Sequence, residues 1–168
     1  MCYLGSSARL RFTFLGCHTM IQSDLMPGIL LCRHPVTSRK QLLESLCNRV
    51  ARHGDLCERL VLDSVLDREK LGSTAIGDGI ALPHATIAGA TATSTLLATL
   101  ETPVDFDSPD GKPVDIVMLV LGSDRDGAGH LAALGAVSRQ LRASADLLRT
   151  ADSEAALHDA VAGHLVAA

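Results

Sequence analysis

Six consecutive apolar residues, Ile116 to Leu121 in the stretch "PVDIVMLVLG", are too few for a helix of ordinary length and too uniform for a strand with one wet face. A strand of that kind is covered on both sides, and the elements that cover it are helices above and below. The rest of the chain supplies them. From Ser38 onward, Leu42, Leu43, Leu46, Cys47 and Val50 recur at steps of three and four, and "SRKQ" reads as a capping box with Ser38 as N-cap and Gln41 three residues on. Gly54 is a natural stop. A second helix is expected from Asp55, with Glu58 in the matching box position, burying Leu60, Val61 and Val65 and running out near Lys70, which puts Arg68 in its last turn. Leu131, Leu134, Val137 and Leu141 mark a third, and "DSEAALHDAVAGHL" a fourth, capped at Asp152 or Ser153. A second strand is expected in "TSTLLATL" around Leu97. Together these predict an α/β fold, a three-layer sandwich with a mixed central β-sheet and helices on both faces.

A chain of 168 residues with 47% hydrophobic and 20% charged side chains suits one globular domain with a packed core. The formal charge of −4 comes from mixed acidic and basic residues, and only 2% of residues are aromatic, so nucleic acid is a poor candidate ligand. No stretch approaches the roughly 18 apolar residues of a membrane span. The five cysteines, Cys2, Cys17, Cys32, Cys47 and Cys57, contain no C-x-x-C pair and are odd in number, which favours reduced thiols over a disulfide framework or a zinc site. The first four are spaced fifteen apart, but their flanks share nothing, so no repeat follows. In residues 1–19, Arg9 and Arg11 before "FTFLGC" resemble the start of a secretory or lipoprotein signal with Cys17 as acceptor. That apolar run is interrupted by Thr13 and falls short of the roughly 7 to 15 residues a signal core needs. The segment is read as an N-terminal extension of unknown role, a false start upstream of Met20 or Met26, and the protein is placed in the cytoplasm.

The densest chemistry lies in "DREKLGSTAIGDGIALPHAT", Asp67 to Thr86. Gly72 to Pro83 has three glycines and no helical period, so it reads as a loop or a short irregular strand closed by His84. Pro83 fixes its own φ and biases Leu82 toward an extended backbone, presenting His84 from a stiffened chain. Gly77 and Gly79 leave backbone N–H groups open to an anion, with phosphate the obvious candidate. Nucleotide loops do not fit: Asp78 stands where a G-x-x-x-x-G-K-[ST] loop has lysine, and no G-x-G-x-x-G is present. A histidine can itself carry a phosphoryl group, because neutral imidazole is nucleophilic near pH 7 and its phosphoramidate is labile. Arg68 offers a planar fork of donors for the phosphoryl oxygens, and a second histidine one more. Ser73 and Thr74 either bond a phosphoryl oxygen or cap the loop locally. Asp67 and Asp78 read as solvated charges. His18, His34, His53, His158 and His164 lack neighbours at metal spacing, and the aspartates of "GSDRDGAG" lack the closing glutamate of a calcium loop.

"REKLGSTAIGDGIALPHA", Arg68 to Ala85, resembles the active-site signature of the enzyme IIA proteins of the fructose, mannitol and nitrogen-regulatory (type-2) branch of the bacterial phosphoenolpyruvate-dependent phosphotransferase system. The resemblance runs from about Met20 to the C-terminus and includes "LETPVDFDSPDGKPVDIVMLVL" (Leu100 to Leu121) and "GHLAALGAVSRQL" (Gly129 to Leu141). It implies an enzyme IIA domain over residues 20–168, with His84 the phosphorylated residue, Arg68 holding the phosphoryl group and His130 the second histidine facing the site. It also implies a phosphotransferase without cofactor or metal. The donor would be the phosphorylated histidine carrier protein, HPr. The recipients would be a downstream enzyme IIB or regulated proteins such as sensor kinases and ion transporters, with no nucleic acid and no membrane insertion. Two departures stand out: Ala75 where the family usually has glycine, and Thr86 where it often has lysine or arginine. The first would strain the loop if the glycine serves a positive φ; the second bears on partner docking. A discrete, unfused enzyme IIA favours the nitrogen-regulatory branch, the alternatives being a fructose/mannitol-type transport component or a binding module that works without phosphorylation.

Overall fold

A computed structural model describes residues 27–90, 92–123 and 127–165, with the side chains of 127–129 and 163–165 outside the description. The readings made on residues 1–26, on Asp124 to Asp126 of the calcium-like loop and on the His164 side chain therefore lie outside the described residues. The chain runs β1 (Ile29–His34), α1 (Arg39–His53), α2 (Glu58–Lys70), β2 (Ala75–Gly77), β3 (Ile80–Ala81), β4 (His84–Ile87), β5 (Ser94–Val104), β6 (Val114–Ser123), α3 (Gly127–Thr150) and α4 (Glu154–Leu165).

The apolar run lies within β6, as its composition requires. One set of alternate residues, Val117, Leu119 and Leu121, packs with Leu42, Leu46, Val61 and Val65 of α1 and α2. The other, Ile116, Met118 and Val120, packs with Leu134, Val137, Leu141, Leu148 and Leu157 of α3 and α4. The sheet is mixed: β5 pairs antiparallel with one edge of β6 and parallel with β1 beyond it, while β3 and β4 pair in parallel with the other edge of β6, one after the other along its length. The expected three-layer α/β sandwich is the fold.

Local signals held unevenly. Ser38 caps α1, its hydroxyl accepting from the Gln41 N–H at 3.3 Å, but Gln41 reaches back to the N–H of Thr37 (2.9 Å) and not of Ser38. At the end of α1, Gly54 keeps a negative φ and Asp55 takes the left-handed conformation at φ 51°. With Asp55 used in that turn, α2 starts three residues later than expected. Cys57 is its N-cap without a side-chain bond, and Glu58, the first helical residue, pairs with Arg52 at 2.7 Å instead of closing a box. Leu60 is 42% exposed, because the buried stripe of α2 is Val61, Val65 and Glu69. Leu131 is likewise out of its expected stripe at 72% exposure. Ser153 caps α4, its hydroxyl accepting from the Ala156 N–H at 3.2 Å.

Candidate functional site

His84 does not close a loop; it opens strand β4, paired with Val120 of β6. Ala85 and Ile87 turn into the α1 and α2 layer, so by alternation His84 and Thr86 face the other way, toward the start of α3. Pro83 contributes its carbonyl to the Val120 N–H at 3.0 Å, and the Leu82 carbonyl lies 2.8 Å from Nδ1 of His84. A carbonyl can only accept, so Nδ1 carries the hydrogen and Nε2 is left with its lone pair. That lone pair receives the Nε–H of Arg68 at 3.0 Å, while Nη1 of the same guanidinium donates to the Gly72 carbonyl at 3.1 Å. Arg68 comes from the last turn of α2 and meets His84 at the sheet edge that β4 forms.

The third member arrives from α3. The His130 ring lies 6.0 Å from that of His84, centroid to centroid and tilted by 57°. Its Nε2 is buried without a hydrogen-bond partner among the described residues. The ring rests on the backbone of β6: a Cβ at Gly122 would collide with three of its atoms. Burial, opposed by the bond to Leu82 and assisted by the charge of Arg68, holds His84 below the usual imidazole range. His130 is lowered by burial and then by the proximity of His84. Both imidazoles are therefore neutral at pH 7, the form that keeps a lone pair for attack.

The remaining candidates sit elsewhere or are already engaged. Thr74 gives its N–H (3.1 Å) and its hydroxyl (2.7 Å) to the carboxylate of Glu69. The Ser73 hydroxyl bonds the Phe106 carbonyl and receives the Ala75 N–H at 3.1 Å, so both residues take the local role that the sequence left open. Gly77 and Gly79 flank the β2 to β3 turn, where Gly77, Asp78 and Gly79 all have positive φ. Ile80 pairs with Ile116 and His84 with Val120, so this turn lies four residues back along β6, about 13 Å at a rise of roughly 3.3 Å per residue. The anion it holds belongs to the chain: Asp110 accepts the Asp78 N–H at 2.8 Å. Gly79 suits the turn through its φ of 75°, and Arg149 of α3 reaches the turn at the Asp78 carbonyl while ion-pairing with Asp115 of β6 at 2.8 Å. Asp78 is ion-paired with Arg142 at 2.9 Å, and Asp67 with Lys70 at 2.8 Å.

Ala75 has a negative φ, so the feared strain is absent. Thr86 is exposed two residues from His84. Cys32, Cys47 and Cys57 are free thiols, with Cys47 pushed up to about 12 by burial. Among the described residues no three His, Cys, Asp or Glu converge as metal ligands, and no helix is long and apolar enough to cross a membrane. Glu69 escaped the sequence reading, although a charge at the third position of the Val61, Val65 stripe was visible there.

The sequence profile of the family described as "Phosphoenolpyruvate-dependent sugar phosphotransferase system, EIIA 2" matches residues 27–163. A nitrogen regulatory protein of Bradyrhizobium diazoefficiens is 42% identical over 121 residues, 71% of this chain and 79% of the relative. One of Pseudomonas aeruginosa is 36% identical over 144 residues, 84% of this chain and 94% of the relative. Among solved structures, the nitrogen regulatory protein IIA-Ntr of Neisseria meningitidis matches with a TM-score of 0.75 at 29% identity, covering 85% of this chain and 99% of its own.

Proposed function

This chain belongs to the EIIA 2 family of the phosphoenolpyruvate-dependent sugar phosphotransferase system, and on that premise we propose that His84 is the residue on which it carries the phosphoryl group. The protein is a phosphotransferase component of the nitrogen-regulatory type, and it acts with other proteins of that system. The observation that carries the assignment is the state of the imidazole: Nδ1–H is committed to Leu82, and Nε2 is neutral and presented to Arg68.

In the forward step Nε2 attacks the phosphorus of the phosphohistidine on HPr. The phosphorus–nitrogen bond to the donor breaks, the donor imidazole leaves with the electron pair, and a phosphoramidate forms on Nε2. The Leu82 carbonyl stabilises the positive charge that develops on the ring through Nδ1–H. The Arg68 Nε–H, displaced from the lone pair, turns onto a phosphoryl oxygen, with Nη1 still tethered by Gly72. His130, whose ring lies 6.0 Å from that of His84, donates to a second oxygen from the ring nitrogen that carries its hydrogen. Such a transition state asks for positioning and charge more than for covalent help. The group is then passed to an enzyme IIB, or its charge of nearly −2 on the docking face is read by regulated proteins such as sensor kinases and ion transporters in the cytoplasm.

Intact-mass measurement after incubation with phosphoenolpyruvate, enzyme I and HPr tests this reading. A single acid-labile phosphoryl adduct that is absent from His84→Ala is the expected result. An adduct that persists in that variant assigns the carrier role to another residue.

A further inference from the structure

Glu69 sits where the packing of α2 calls for an apolar side chain. It continues the stripe of Val61 and Val65, four residues on each time, and its side chain is only 5% exposed. A carboxylate there gives up hydration, and it lies in the last turn of a helix, where the backbone dipole favours cations. Only the bonds it makes offset that cost.

The carboxylate completes a closed path of hydrogen bonds around the imidazole. Glu69 accepts the N–H and the hydroxyl of Thr74 at 3.1 and 2.7 Å. The Thr74 carbonyl accepts the Leu82 N–H at 3.0 Å. The Leu82 carbonyl accepts Nδ1–H of His84 at 2.8 Å, and Nε2 of His84 accepts from Arg68 at 3.0 Å, the residue that precedes Glu69. A strap beside it fixes the same loop: Ser73 bonds the Phe106 carbonyl, and Arg39 lies over the Phe106 ring at 5.5 Å while approaching Glu69 at 3.9 Å. Each link is ordinary. The closure is what matters, because it ties both nitrogens of one imidazole to adjacent residues of one helix.

We infer that Glu69 is a positioning residue for phosphoryl transfer: by holding Thr74 it sets Leu82 and Arg68 in register, fixing the tautomer and aim of His84. The inference rests on His84 being the phosphorylated residue. Without the carboxylate, Thr74 loses both of its bonds to α2, the Leu82 carbonyl is free to drift from Nδ1, and the imidazole samples both tautomers. Only the tautomer with a bare Nε2 can attack.

The test uses the full chain as wild type, Glu69→Leu, Glu69→Gln and Thr74→Val. Three quantities are read: the melting temperature, the ring-nitrogen NMR shifts that report the His84 tautomer, and the single-turnover rate from phosphorylated HPr at varied donor concentration. Glu69→Leu orphans two buried Thr74 donors and is expected to melt lower but, read well below its melt, to show a mixed tautomer and to lose on the order of tenfold to a hundredfold in the saturating rate at unchanged half-saturation, as small misalignments do. Glu69→Gln, whose amide oxygen still accepts from Thr74, recovers most of that rate. Thr74→Val shifts rate and tautomer the same way by less. If Glu69→Leu fails to fold, the other two carry the test. Wild-type rate and tautomer in all folded variants overturn the inference. His84→Ala in the same assay keeps the underlying assignment separate: phosphorylation of that variant removes the site itself, whatever Glu69 does.

Discussion

The Nε–H of Arg68 points into the lone pair of His84 Nε2 at 3.0 Å, so on the proposed assignment the guanidinium occupies, before transfer, the position that phosphorus would take. The pair is poised and blocked at once: attack requires Arg68 to yield the lone pair and take up a phosphoryl oxygen. Arg68→Gln removes the charge and the fork together. It is expected to leave folding intact, since the side chain ends at the surface, and to slow phosphorylation by roughly a hundredfold or more, the usual cost of deleting a transition-state donor. Arg68→Lys, which keeps the charge but not the planar fork, falls between. Quenched-flow transfer from HPr reads both.

His84→Ala is expected to take no phosphoryl mass and to melt within a few degrees of wild type, because the ring is half-buried at a sheet edge and its removal leaves no sealed cavity. A collapse of the melt would instead make His84 a core residue.

The pH dependence follows from two lowered imidazoles. In the unfolded chain His84 and His130 take protons near pH 6.5; in the folded chain burial, aided at His84 by Arg68, delays this to lower pH. Between those points the unfolded state binds more protons, so stability is full above about pH 6.5, falls as the pH drops through that window, and levels off once the folded rings are charged. Urea midpoints from pH 8 to 5 should show this slope, and His84→Asn should flatten it. The transfer rate should hold below pH 6.5 and drop only when the folded His84 is protonated.

Ala75→Gly, a change toward the residue usual in the family, is expected to bring no gain in rate. Ala75 has a negative φ, so glycine relieves nothing and adds only freedom to the unfolded chain. A loss of about 0.5 to 1 kcal/mol in urea unfolding is expected. A faster or more stable variant would mean that the loop is strained after all.

Gly122→Ala places a methyl group against the His130 ring. The ring must move, and transfer should slow. Combined with His130→Ala, the same change should have no further effect, because the residue through which it acts is gone. Additive losses in the double mutant would place the effect of Gly122 in β6 itself.

The unbroken run Ile116 to Leu121 was enough to read the three layers, since a strand without a polar face needs cover on both sides. Strand β1 escaped because "ILLCRH" is short and ends in charge, and β4 because "HATI" carries one apolar side chain of any size. Leu60 and Leu131 were misplaced by periodicity counted from leucines rather than from what each helix packs on. Arg68, His84 and His130 were visible as residue types, but their convergence was not, as they come from three elements joined through the pairing of β4 with β6. Ser73, Thr74, Gly77 and Gly79 looked like phosphate ligands because small hydroxyl and glycine residues serve a turn and an anion equally well. Here Thr74 is bonded to Glu69 and Ser73 to Phe106, and Asp110 takes the Asp78 N–H between the two glycines.

The pairing of His84 with Val120 joins residues far apart in sequence, and His130 follows later still. A chain emerging during synthesis therefore presents Arg68 and His84 long before the strand that aims the imidazole exists. Non-local pairing of this kind is slow to form. On the proposed assignment, a chain would take the phosphoryl group only after β6 has closed the sheet around His84.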